Sequence, residues 1–159
     1  MKLVVIAVGK LRESYYREAC AAYCDRMAAM RPVGIVEIEE EFIADEKDPA
    51  SVDRALEREG RRILGQLRTD DLVVALTPLG KPMDSMAFAQ AIDPAVHPEH
   101  KRCVFLLGSS HGLGPAVYAA CQWKLGFGPM TFPHQLARLM LLEQLYRGQM
   151  ILRGSAYHK

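Results

Sequence analysis

The sequence predicts an α/β domain with a mostly parallel sheet flanked by helices. Three near-continuous apolar runs, Leu3 to Val8, Leu72 to Leu76 and Cys103 to Leu107, have the β-branched character of strands covered on both faces. Segments of helical spacing separate them, and strands that alternate with helices build parallel sheets.

Taken in order, the first strand ends at Gly9. Residues 12 to 30 then place Tyr16, Ala19, Cys20, Tyr23, Cys24 and Met27 on one stripe of a helix that Pro32 stops. A second strand alternates through Val33, Ile35, Val36 and Ile38, and Pro49 to Gln66 makes a charged helix with Val52, Leu56, Ile63 and Leu67 on one face. After the strand Leu72 to Leu76, Thr77-Pro78-Leu79-Gly80-Lys81-Pro82 carries turn chemistry. Asp84 or Ser85 caps a short helix from Met86 to Ile92, and Asp93 to His100 is a loop. The strand Cys103 to Leu107 closes on Gly108-Ser109-Ser110-His111-Gly112. Pro115 to Cys121 reads as a short helix and Trp123 to Phe127 as a short strand. Thr131 to about Arg147 is a long helix with Thr131 as its cap and Pro133 in its first turn.

Met140, Leu141, Leu142, Leu145 and Tyr146 put apolar groups nearly all round that last helix, whereas a surface helix needs one stripe. A two-fold homodimer is the economical way to cover the second side, the alternative being full burial within one chain.

A length of 159 residues suits a single domain over 1–159, and half the residues are apolar and a quarter charged. No apolar run approaches the roughly 18 residues of a membrane helix, and MKLVVIAVGK lacks a small-residue cleavage site. The expectation is a cytoplasmic protein with no membrane partner. Cys20, Cys24, Cys103 and Cys121 form no C-x-x-C pair and read as thiols in or near the core. Net charge is +1, unevenly placed. Residues 1–72 hold 12 Lys or Arg against 15 Asp or Glu, a net of −3, whereas residues 73–159 hold 8 against 4, a net of +4, and all five histidines. A polyanion would meet the C-terminal half. The run Glu37, Glu39, Glu40, Glu41 reads as a solvated strand end.

In open α/β sheets ligands bind beyond the carboxyl ends of strands. Three such edges stand out: Leu76 to Gly80, Gly108 to Gly114, and Phe127-Gly128-Pro129-Met130-Thr131. Neither G-x-G-x-x-G nor a P-loop lysine pattern occurs, which disfavours a dinucleotide or ATP site. His97 and His100 have H-x-x-H spacing in a loop without further ligands, so no metal is expected. His111 faces the ligand edge, and His134 lies in the first turn of the last helix. Glu143, four residues before Arg147, is either half of an ion pair or a base. No nucleophile with a matching base appears. The tail Arg153-Gly154-Ser155-Ala156-Tyr157-His158-Lys159 is either a frayed end or the stacking and cationic set that holds an unpaired base and its phosphates.

Beyond these local readings, the opening Lys2 to Gly9, the block Met130-Thr131-Phe132-Pro133-His134-Gln135-Leu136-Ala137-Arg138, the block Leu141-Leu142-Glu143-Gln144-Leu145-Tyr146-Arg147 and the terminal Tyr157-His158-Lys159 resemble one family over the full length. It is the SPOUT-class ribosomal RNA large subunit methyltransferase H family, which methylates N3 of a pseudouridine in 23S rRNA of the ribosome. The resemblance implies a C-terminal trefoil knot, S-adenosyl-L-methionine as cofactor, and a homodimer acting on RNA rather than DNA. It assigns cofactor contacts to Leu76, Gly108, Phe127, Gly128, Pro129, Met130, Thr131 and Phe132. Tyr157 and His158 are the expected catalytic residues, reaching from one protomer to the cofactor of the other. Arg138, Arg147, Arg153 and Lys159 are the expected phosphate contacts. Two positions depart from the family: Ser109 stands where a second glycine is usual, and Ala156 where a proline is common. Those departures are what would favour the alternative, a non-catalytic dimeric ribosome-binding protein that keeps the fold.

Overall fold

The computed structural model describes residues 1–157. Five strands, β1 (Lys2–Val8), β2 (Val33–Ile38), β3 (Asp71–Pro82), β4 (Arg102–Leu107) and β5 (Trp123–Gly126), pair in the order β2-β1-β4-β3-β5. Every pairing is parallel. The helices are α1 (Ser14–Ala28), α2 (Pro49–Leu64), α3 (Ser85–Ala91), α4 (Pro115–Ala119) and α5 (His134–Leu152).

Alternation along the central strands divides the core into two layers. Leu3, Val5, Ala7, Leu72, Val74, Cys103, Phe105 and Leu107 point to one face, where Cys20 and Met27 of α1, Phe88 of α3, and Leu141, Leu142 and Leu145 of α5 cover them. Ile6, Val8, Val73, Ala75, Val104 and Leu106 point to the other, under Ile63 of α2 and Val117 of α4. This is the two-sided burial that makes parallel strands read as unbroken apolar runs. Asp48 caps α2 by accepting from the backbone N–H groups of Ala50 and Ser51, and Asp84 caps α3 by accepting from Ala87 at 2.8 Å.

Three expectations are corrected. β3 does not end at Leu76 but continues through the proline- and glycine-rich stretch to Pro82. Leu125 of β5 is opposite both Leu76 and Lys81, so residues 77–80 are extruded between the two pairings. A Cβ on Gly80 would lie 2.2 Å from the Leu125 carbonyl carbon, and one on Gly126 would lie 2.5 Å from the Gly80 oxygen. Turn-forming residues thus serve a bulged strand whose return needs two bare backbones. Secondly, α5 begins at His134 with Pro133 at its cap position and runs to Leu152, and no side chain caps it. Thr131 is therefore not the cap. Thirdly, Leu141, Leu142 and Leu145 are fully buried within one chain by α1, α3 and the sheet. The broad apolar surface of α5 thus does not by itself require a partner subunit. Its less buried face carries Met140, Glu143, Tyr146 and Arg147.

Candidate functional site

The extruded segment of β3, the turn after β4 and the segment after β5 meet at the carboxyl edge of the sheet and enclose a cavity of about 800 Å³, within the usual range for small-molecule sites. Each wall depends on its local backbone. A Cβ on Gly108 would fall 2.0 Å from the carbonyl oxygen of Gly112, so the turn closes on itself only with glycine there. Gly112 at φ +83° and Gly128 at φ +107° occupy the left-handed region that glycine tolerates. The Gly112 N–H donates to the Ser109 carbonyl at 3.0 Å. On the β3 side, the Tyr118 hydroxyl donates to Thr77 Oγ1 at 3.1 Å, and that oxygen also accepts from the Leu79 N–H at 3.3 Å.

Of the sequence-assigned cofactor residues, Leu76, Gly108, Phe127, Gly128, Met130, Thr131 and Phe132 all line this cavity, while Pro129 belongs to the same segment but not to the lining. Leu107, Ser109, His111, Tyr118 and His134 also stand in the wall. No carboxylate side chain is among the lining residues. The pattern is an apolar slot of Leu76, Leu107, Phe127 and Phe132 beside exposed backbone groups, which suits a planar heterocycle with hydrogen-bonding edges. His134 is held below its usual value, chiefly by burial and against the pull of Glu40, so its ring is neutral at pH 7.

The tail residue Tyr157 is elsewhere. Its ring packs edge-on against Tyr146 at 4.9 Å, the Arg147 guanidinium lies 4.9 Å from its centroid, and its hydroxyl is 3.5 Å from Glu143 Oε1. Burial and then Glu143 raise its phenol above the ordinary value. It does not line the cavity of its own chain. His158 and Lys159 lie outside the described residues. Arg147 donates to Glu143 at 2.6 Å and 3.0 Å, which makes the pair an i, i+4 bridge, and Arg153 is exposed just beyond α5.

Arg138 is a correction. Its side chain is 3% exposed and donates to Glu37 Oε1 at 2.6 Å and to the Gly9 carbonyl at 2.7 Å. A guanidinium so committed joins α5 to β1 and β2 and has no face to offer a phosphate. Position in a basic half of the sequence suggested otherwise, since sequence alone does not reveal that Glu37 comes within reach.

Other chemistries find no support in the arrangement. Burial pushes the Cys20 and Cys121 thiols up to about 11 and Cys103 up to about 12, so none is a thiolate nucleophile at neutral pH. Among the described residues, no three His, Cys, Asp or Glu side chains group as metal ligands. Nor is any helix among them long and apolar enough to cross a membrane.

Residues 1–158 match the model of a family described as predicted SPOUT methyltransferase. The chain is similar over the whole of both sequences to proteins named ribosomal RNA large subunit methyltransferase H. Identity is 42% with that of Lactococcus lactis subsp. cremoris, 40% with that of Levilactobacillus brevis and 37% with that of Carboxydothermus hydrogenoformans.

Proposed function

The chain belongs to the SPOUT methyltransferase family, and from that premise we propose that it methylates N3 of a pseudouridine in 23S rRNA with S-adenosyl-L-methionine as methyl donor. It is a ribosomal RNA methyltransferase in the coarser sense that its full-length relatives carry in their names. One observation supports the cofactor part of this reading: three separate chain edges, each shaped by glycine, converge on a single cavity of about 800 Å³.

The residues present fit the cofactor. Leu76, Leu107 and Phe127 offer an apolar slot for adenine, and the bare backbone at Gly128, with open space where a side chain would be, leaves main-chain groups approachable by polar parts of the ligand. When bound, S-adenosylmethionine supplies a methyl group made electrophilic by a positive sulfonium. The remaining work falls to the protein: to align the base, exclude water and take the N3 proton as the new N–C bond forms. Tyr157 is the candidate for stacking on or hydrogen-bonding the base, and His158, or a water it positions, for accepting the proton. Because Tyr157 packs on its own α5 away from its own cavity, it would serve the cavity of a second subunit, and a homodimer is part of the proposal. The half-exposed face of α5 and the adjoining groove of about 780 Å³, with Met83, Met86 and Met140 in its wall, suit an isologous contact. Arg153 and Lys159 then remain as phosphate contacts, with Arg147 available if it exchanges Glu143 for RNA. A cytoplasmic location follows from the ribosomal substrate.

Ser109 does not favour the non-catalytic alternative, since its hydroxyl is taken up by Glu59 at 3.2 Å and the cavity it lines measures about 800 Å³. The deciding experiment is transfer of labelled methyl from S-adenosylmethionine to ribosomal subunits from a strain lacking the native enzyme. Incorporation at the pseudouridine supports the reading, and no incorporation by a folded protein refutes it.

A further inference from the structure

Glu59 lies on α2, is 3% exposed and is not among the residues that line the cavity. Its Oε2 accepts from the Ser109 hydroxyl at 3.2 Å and its Oε1 from the Glu41 N–H at 2.9 Å. The Glu41 carboxylate is in turn held by Arg58 at 3.3 Å and by Arg62, both on the helix that carries Glu59. Ser109 is itself 7% exposed, and its backbone pairs with Gly112 to close the turn. One carboxylate thus ties together α2, the segment after β2 and the turn at the cavity wall.

A buried acid is a costly way to fill space. Desolvation and the neighbouring charges of Glu40 and Glu41 all oppose its ionised form, and the two hydrogen bonds offset only part of that. An apolar residue would serve packing alone at least as well. What an apolar residue lacks is an acceptor for the Ser109 hydroxyl.

We propose that Glu59 is a positioning residue for the cofactor cavity, its carboxylate bracing the Gly108–Gly112 turn through the Ser109 hydroxyl. The brace matters because the turn has no slack: Gly108 and Gly112 approach so closely that a displaced Ser109 carries the lining backbone with it. The inference rests on the cofactor reading of the cavity, and the test separates the two.

Two quantities are measured on the whole chain: affinity for S-adenosylmethionine by calorimetry, and hydrogen exchange of the Gly112 amide, which is bonded to the Ser109 carbonyl. Ser109→Ala and Glu59→Ala should each weaken affinity and speed exchange roughly tenfold, the loss of about one hydrogen bond. Glu59→Gln should stay within about threefold of wild type in both, because its amide oxygen accepts from Glu41 and its N–H donates to Ser109 Oγ. If Glu59→Ala fails to fold, Ser109→Ala, which removes one oxygen, decides alone. A merely structural Glu59 would lower the melting temperature of these variants while affinity stays at the wild-type value, and that result overturns the proposal. Wild-type protein that binds no S-adenosylmethionine overturns the cofactor reading instead. Gly112 exchange then still judges the brace: unchanged exchange in Ser109→Ala refutes it, and faster exchange upholds it.

Discussion

Replacing Gly108 by alanine adds one carbon at the tightest point of the cavity wall. That carbon would sit 2.0 Å from the Gly112 oxygen and 2.2 Å from its carbonyl carbon, where ordinary contact begins at 3.4 Å. The turn must open by roughly 1.4 Å, and no flexible side chain can yield, because the obstructing atoms are backbone. Overpacking of this kind costs about 1–3 kcal/mol, which in a chain of this size lowers the melting temperature by roughly 2–12 °C. The effect on the ligand is larger in proportion, since a displacement of about 1 Å at a binding wall can cost about a hundredfold. Gly108→Ala should therefore fold yet bind S-adenosylmethionine at least about a hundredfold more weakly in calorimetry. Gly34→Ala, on β2 with no atom closer than 3.9 Å to the new carbon, is the matched control and should bind normally. Wild-type affinity in Gly108→Ala would show either that the turn is softer than its geometry implies or that the ligand sits elsewhere.

Five other variants have expected outcomes. Arg138→Met should destabilise the fold by about 3 kcal/mol in urea titration, leaving Glu37 and the Gly9 carbonyl without their partner, and a loss below about 0.5 kcal/mol would contradict its bracing role. Leu142→Ala should cost about 2–5 kcal/mol of stability, whereas Met140→Asp on the outer face of α5 should leave the fold intact and weaken self-association in light scattering; wild-type association in Met140→Asp would move the interface elsewhere. Burial holds the Glu59 carboxyl above its ordinary value, so the stability linked to its proton is full below that ordinary value and lost as pH rises through the raised one. Glu59→Gln should lack this part of the pH slope, and a slope above the ordinary carboxyl value that is the same in Glu59→Gln as in wild type would refute the assignment. Finally, truncation after Gly154 should abolish methyl transfer to ribosomes while S-adenosylmethionine still binds, and a fully active truncated protein would remove Tyr157 and His158 from the mechanism.

The strands were legible because burial on both faces leaves a plain mark: Leu3 to Val8 and Cys103 to Leu107 have no polar positions to mislead. Helix α2 was legible through Pro49 at its start and the single apolar face of Val52, Leu56 and Ile63. The extruded segment 77–80 was not, because Pro78 and Gly80 signal a turn equally well whether the chain leaves the sheet or bulges and returns to it. The end of α5 was placed too early, near Arg147, because the glycine that follows, Gly148, looks like a helix stop in sequence, whereas in the fold it is where the helix passes close to Ile92 beside α3. Among the site residues, Gly108 announced itself by its place just past a strand, and Leu76 by standing where the apolar run of β3 gives way to Thr77 and Pro78. Glu59 carried no such signal. On α2 it is one acid among several alternating charges, and only the fold brings Ser109, fifty residues away, to its oxygen.

The Arg138 clamp also sets a timetable. Its two partners, Glu37 and Gly9, precede it by 101 and 129 residues, and the strand that flanks β1 on its other side, β4, ends only at Leu107. During synthesis the first two strands emerge early and must wait, with unpaired edges, until most of the chain has left the ribosome. A nascent chain stalled before residue 138 should remain vulnerable to protease in β1 and β2, and protection there should arrive late and abruptly, when the last helix delivers its guanidinium.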